Sequence, residues 1–247
     1  MSSETSRPPK KAERDFLTHF EAYVSRRDGV DKLLKISRYA AKLIVSSNAL
    51  PKSWPLTTRL KSFESSVGLS RKAFRLGKFI QDVNALRNCD FSSREETILS
   101  VIAYGGEGIY YFVEQFVWLS KTGLIDRRHG KLLGMISGWA EFVGYFGSIS
   151  LKARELAKLR VEEAKLVSIV ESKQLGLLDP NAEEEKLLKL REKKLLKTLS
   201  VIQDFADGLM ALGDIRDDSS PLSSPLLLSF AGLCSGIISS LKNWRSC

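Results

Sequence analysis

Apolar residues recur along the first 90 positions with the 3.6-residue period of amphipathic helices. A first helix is predicted over roughly Phe16 to Ser25, and a second, DGVDKLLKISRYAAKLIVSS, follows the Asp28-Gly29 punctuation. In the second, Val30, Leu33, Leu34, Ala41 and Ile44 share one side while Lys32, Lys35, Arg38 and Lys42 share the other. Leu50-Pro51 and Trp54-Pro55 end it, and a third helix is predicted from about Thr58 to Ser66. The fourth is SRKAFRLGKFIQDVNAL, residues 70–86. On a helical wheel Arg71, Arg75 and Lys78 fall in one narrow arc with Asp82. Leu69, Leu76, Phe79, Ile80, Val83 and Leu86 take the opposite arc, with Lys72 at its edge.

The pattern then changes. Residues 97–119, 132–151 and 222–241 are strongly apolar and each long enough to cross a bilayer, which needs about 20 residues. The first contains Glu107 and Glu114, the second Glu141, and the third no charge at all, so 222–241 is the best candidate span. Between the last two lie charged helices broken by LGLLDPN, with an apolar stripe at Leu188, Leu195, Leu199, Ile202, Phe205, Leu209 and Leu212 suited to packing on another helix. Strand-type alternation is not evident over a useful length. The fold class expected is all-α: a membrane-associated helical protein with N-terminal amphipathic helices and one to three hydrophobic membrane segments. Its organisation reads as a flexible basic tail (1–14), a basic amphipathic region (15–90), hydrophobic helices (91–151), a charged helical region (152–220), and a transmembrane segment with a short tail (221–247).

Charge sharpens this picture. The first 90 residues hold 18 Lys/Arg against 9 Asp/Glu, which accounts for the whole net charge of +9. A surface that meets polyanions is therefore expected there. Cys89, Cys234 and Cys247 are widely spaced and odd in number, which argues against a disulfide framework or a zinc site. The N-terminus has no apolar core of a secretory signal, and its acidic residues argue against a transit peptide. The last residues, NWRSC, are neither an SKL-type signal nor a prenylation box. His19 and His129 stand alone, and YGGEG at 104–108 lacks the preceding strand of a dinucleotide fingerprint. No enzyme, cofactor or metal is expected.

A helix with apolar bulk on one side and flanking cations can lie in the plane of a membrane, its apolar face among acyl chains and its cations at lipid phosphates. For residues 70–86 the competing reading is a bundle helix with a solvated basic face. Gly232 and Gly236, like Gly134 and Gly138, have the GxxxG spacing that lets helices approach closely in lipid. Soluble helices use the same spacing. Glu107 and Glu114 are costly at mid-bilayer and must face another helix or water, which leaves room for a pore. Aromatics are not interleaved with the cations as in nucleic-acid binders, so no nucleic-acid partner is expected.

The stretches RDGVDKLLKISRYAAKLI (27–44), KSFESSVGLSRKAFRLGKFIQDVNAL (61–86) and YYFVEQFVWLSKTGLID (110–126), in that order, resemble the peroxin-eleven family of peroxisomal membrane proteins, most closely the A-type members of plants. The resemblance implies a multi-pass peroxisomal membrane protein with cytosolic termini that elongates and tubulates the organelle before fission. It implies membrane binding by Arg71, Lys72, Arg75, Leu76, Lys78, Phe79, Ile80, Val83 and Leu86, with a preference for anionic lipids. It also implies self-association and association with related family members, a fission adaptor and a dynamin-related GTPase. Some family members end in a dilysine motif, which this chain lacks. The alternatives are a pore for small metabolites and a soluble helical adaptor.

Overall fold

The fold, a computed structural model describing residues 15–89, 93–174, 181–216 and 223–247, is built from helices whose ends are marked locally. The expected tail at 1–14 lies outside the described residues. Helix α1, Phe16–Val24, is capped by the Asp15 carboxylate, which accepts from the Thr18 N–H at 2.7 Å. Helix α2 spans Arg27–Ser46 and starts before Gly29 rather than after it. The position needs glycine because the preceding helix passes closely: a Cβ there would lie 2.0 Å from the Tyr23 carbonyl oxygen.

Helix α3 begins with proline at its first position and runs Pro55–Phe74, well beyond the expected Ser66. The continuous helix expected over 70–86 is interrupted. Residues 75–78 form a bend, with Gly77 at φ 71°, and α4 restarts at Phe79 and ends at Arg87. A positive φ costs glycine nothing and other residues a good deal, so the bend falls where the only glycine of the segment lies.

Helix α5, Arg94–Thr122, stops at Gly123 in the left-handed conformation, and a 3-10 turn at Arg127–His129 leads into α6. Helix α6 covers Gly130–Gln174, crossing residue 151 without a break, so that the second apolar segment and the following charged one form a single 45-residue rod. Helix α7, Asn181–Ile215, returns alongside it, and α8, Pro225–Arg245, closes the chain. Of the three apolar segments, α8 is the one among the described residues that is both long and apolar enough to cross a membrane.

Six helices make a closed antiparallel ring in the order α2, α3, α5, α6, α7, α8 and back to α2, with α4 laid along α5. Residue pairs mark where neighbours meet: Asp31 meets Arg71 and Arg38 meets Glu64 between α2 and α3, which makes that pair antiparallel. Ser148 and Lys152 meet Asp204 between α6 and α7, and Tyr39 meets Gly232 between α2 and α8. Helices α5 and α6 come closest, because a Cβ on Gly106 would lie 2.7 Å from the Gly144 Cα and one on Gly147 2.6 Å from the Ala103 nitrogen. Beyond the ring, α6 and the first half of α7 continue as a two-helix arm. It is laced by ion pairs of Glu163 with Arg191 and Lys194 and of Glu155 with Lys197.

The ring buries many charged and hydroxyl side chains among its apolar ones, and exposes large apolar side chains outside. Asp31, Lys35, Arg71, Glu114, Asp204 and Asp207 are all buried, as are Ser137, Ser229 and Ser235. Ile98, Ile109 and Phe112 of α5, Leu132, Trp139 and Phe146 of α6, Ile202 and Phe205 of α7, and Leu226, Phe230 and Ile237 of α8 are exposed. The α3 side is more mixed: Arg59, Lys61, Ser62, Ser65, Ser66 and Ser70 are exposed there along with Leu56 and Phe63. Soluble proteins rarely expose one contiguous apolar surface of this kind.

The contact between α5 and α6 gives a direct check on the packing. Gly147→Leu should force these helices apart and lower the thermal midpoint by the equivalent of at least 1–3 kcal/mol, roughly the cost of overpacking. Gly134→Leu, on the same helix but facing open space, should leave the midpoint unchanged or raise it, since leucine is the better helix former. Circular dichroism of both variants in mild detergent measures the difference.

Candidate functional site

The segment 70–86 delivers its cations to the interior of the ring. Arg71, from the last turn of α3, is 4% exposed, and its Nε donates to Asp31 Oδ1 at 3.0 Å. Arg75, in the bend, donates from Nη1 to the Tyr110 hydroxyl at 2.7 Å, with its Nε 3.6 Å from the same Asp31 oxygen. Lys72 pairs with Glu114, which also accepts from the Ser137 hydroxyl at 3.2 Å. Lys78 lies 3.7 Å from Asp28 Oδ1 and 4.7 Å above the centre of the Tyr111 ring. The four cations expected at lipid phosphates face inward in this structure, each beside a carboxylate or phenol.

The apolar arc behaves differently. Phe79 packs edge-on against Phe112 with ring centres 5.4 Å apart, and Leu76 and Leu86 are half-buried. The Leu76 carbonyl accepts from Arg27 Nη1 at 2.7 Å, tying the bend to the start of α2. Ile80 and Val83 remain 53% and 49% exposed, next to the exposed face of α5 that carries Ile109, Phe112 and Phe116. Asp82 is buried against α5, where Glu107 is the like charge acting on it, and its Oδ2 has no protein partner. Glu107 itself is half-buried.

The glycines separate into two groups. Gly232 and Gly236 lie against Tyr39 and Ile36 of α2, where an added Cβ would come within 2.4 Å and 3.1 Å of those side chains. That face of α8 is therefore occupied by α2 of the same chain. Gly138 lies against Ile215, and Gly134 faces open space.

Several residues of this network carry no motif. Asp31 and Lys35, one turn apart on α2, take Arg71 on one side and Asp207 on the other; Lys35 Nζ donates to Asp207 Oδ1 at 2.7 Å and to Ser235 Oγ at 2.6 Å. The available signal was the pair Asp204 and Asp207, interleaved with the apolar stripe residues Ile202, Phe205 and Leu209. Burial alone would raise the Asp31 carboxyl, but Arg75, Arg71 and Lys32 beside it hold it well below the usual carboxylate range. It stays charged and binds both guanidinium groups. Among the described residues, no group of three or more His, Cys, Asp or Glu is disposed to hold a metal ion.

Large apolar side chains outside, paired charges inside and a closing helix of bilayer length define a helical membrane-protein class, here with an amphipathic segment clamped to the bundle by its cations. The family model for Peroxisomal biogenesis factor 11 (PEX11) matches residues 17–244, and the chain belongs to that family. It is 58% identical over 238 residues to Peroxisomal membrane protein 11A of Arabidopsis thaliana, covering 96% of each chain. It is 52% identical over 235 residues to Peroxisomal membrane protein 11-3 of Oryza sativa subsp. japonica, covering 95% of this chain and 91% of the relative. Peroxisomal membrane protein 11B of Arabidopsis thaliana is 30% identical over 233 residues. No solved structure matches the chain.

Removing the central carboxylate tests the network. Asp31→Asn should destabilise the protein by about 3–5 kcal/mol, because two guanidinium groups lose a buried counter-charge. Glu95→Gln, which removes an exposed pair with Arg154, should change stability by no more than about 1 kcal/mol. Thermal unfolding of the two variants side by side gives the comparison.

Proposed function

We propose that this chain is a multi-pass peroxisomal membrane protein that elongates and tubulates the membrane, promoting proliferation and fission of the organelle, without an enzymatic step. The observation that carries the reading is the continuous exposed apolar surface joining Ile80 and Val83 of α4 to Ile109, Phe112 and Phe116 of α5. An apolar face held in one leaflet expands that leaflet relative to the other, and many copies side by side favour curvature. Helix α8 and the apolar parts of α5 and α6 supply the anchor; α4 supplies the wedge. Peroxisomal residence follows the names of the relatives.

Both termini are proposed to lie on the cytosolic side. In support, the His19 imidazole is within 2.9 Å of the Trp244 carbonyl oxygen, and Phe16 stacks near the same tryptophan, so the N- and C-terminal helices meet at one end of the bundle. Anionic lipids, further copies of the chain, related family members, a fission adaptor and a dynamin-related GTPase are the proposed partners. A second reading, a pore for small metabolites, draws on the charged interior around Glu114 and Asp31. Conductance of the reconstituted protein that is lost in Glu114→Gln would favour it.

The wedge is tested with the full chain reconstituted into anionic liposomes and viewed by electron microscopy. Ile80→Asp/Val83→Asp should abolish tubulation while the protein stays in the pellet on carbonate extraction, because both side chains are exposed and the anchor is untouched. Tubulation equal to the parent's would overturn the role of α4, and release into the supernatant would overturn the division between wedge and anchor.

A further inference from the structure

Helix α4 is pinned at one end and free to turn just beyond it. Its nine residues are too few to make a stable helix alone, so its position depends on the contact with α5, along which it lies. Before it the chain is fixed: Arg75 donates to the Tyr110 hydroxyl, and Arg27 donates to the Leu76 carbonyl. Gly77 follows at once, at φ 71° and with open space around it. Rotation there meets no clash, so α4 is a flap hinged at Gly77.

The flap turns Phe79 and Asp82 toward α5. Phe79 meets Phe112, a favourable contact, but Asp82 meets an unfavourable one. It lies over Gly108, where an added Cβ would come 3.4 Å from the Asp82 Cβ, and it is only 9% exposed. Its Oδ2 is buried without a hydrogen-bond partner, and Glu107, next to Gly108, is a like charge acting on it. The remaining groups do not compensate. Lys78, the cation acting on Asp82, is shared with Asp28 and the Tyr111 ring. Tyr104 of α5 offers only a phenol, and the Cys89 thiol beyond α4 donates to the Ala85 carbonyl instead. A charged Asp82 is therefore costly in the docked position, and a protonated one is not.

We propose that Asp82 is a proton-operated latch: protonated, it lets α4 seat on α5, and charged, it drives α4 off α5 about the Gly77 hinge, with Glu107 as the repelling partner. Burial, followed by Glu107, lifts the Asp82 carboxyl to about 7 against the opposing pull of Lys78. Freed from α5, the group returns to the ordinary carboxylate value of about 4. The docked form thus holds its proton to a higher pH than the released one. Docking is strongest below about 4, weakens as pH rises from there to about 7, and stays at its weakest above. A seated α4 keeps Ile80 and Val83 beside the apolar face of α5, so the latch sets how firmly the wedge is presented. That consequence, unlike the latch itself, rests on the membrane-remodelling reading.

Hydrogen exchange of the full chain in neutral detergent, from about pH 5.5 to about pH 8 and corrected for the intrinsic pH dependence of amide exchange, tests the latch. Protection of residues 79–87, taken relative to α8, should fall roughly thirtyfold over that range in the parent. Asp82→Asn keeps the shape and stays neutral, and should abolish the fall. Glu107→Gln removes the repelling charge and should reduce the fall severalfold. The proposal is overturned if the parent ratio is flat or if Asp82→Asn keeps the fall. Should Asp82→Asn fail to fold, Glu107→Gln decides, and an undiminished fall there overturns the proposal. Tubulation of phosphatidylglycerol liposomes at about pH 6 and about pH 8 then separates latch from wedge. Stronger tubulation at the lower pH in the parent, and equal tubulation at both in Asp82→Asn, shows the latch acting on the wedge. A pH-dependent flap with no matching change in tubulation leaves the latch standing and overturns the role of α4 as the wedge.

Discussion

Burying a charge is tolerable only when a partner is buried with it, and the architecture of this protein follows from that constraint. Asp31 is its centre. One carboxylate at the start of α2 holds Arg71 and lies beside Arg75, so three segments distant in sequence are fastened at one point. One turn further, Lys35 fastens α2 to α7 and α8 through Asp207 and Ser235. Helix α2 thus joins the two arcs of the ring, with α3 and α5 reached on one side and α7 and α8 on the other.

The same constraint explains why the outside can be apolar. With charges and hydroxyls turned inward, the outward positions of α5, α6 and α8 are free to be Ile, Leu, Phe and Trp. Helix association then cannot rest on hydrophobic burial in a lipid setting, and close contact takes its place. Glycines at the crossing of α5 with α6, and at that of α8 with α2, let backbones or aromatic rings approach where any other residue would hold them off.

Much of the helical layout was legible in the sequence, because the 3.6-residue period and the Pro and Gly punctuation are local signals. The orientation of the faces was not. A wheel separates Lys32, Lys35 and Arg38 from the leucines correctly, but it does not say that Lys35 is buried while Ile44 is exposed. The bend at Gly77 was illegible for a related reason: a single glycine inside a helical pattern is tolerated, and only its tertiary contacts decide whether the chain turns there. GxxxG spacing marked Gly134 along with Gly138, yet one faces open space and the other Ile215, while Gly106, Gly144 and Gly147 work without that spacing. Spacing describes one helix, and packing is a property of two.

Helix α6 is a single rod of 45 residues, of which the final 23, from Lys152 to Gln174, lie beyond the apolar segment. At 1.5 Å per residue that extension reaches about 34 Å from the layer. Being continuous with the part that packs against α5, and braced by α7, it behaves as a pointer: a 10° tilt of the bundle swings its tip by about 6 Å, on the geometry of a straight helix. Changes in bundle orientation that are small at the ring are thereby enlarged at the tip of the arm.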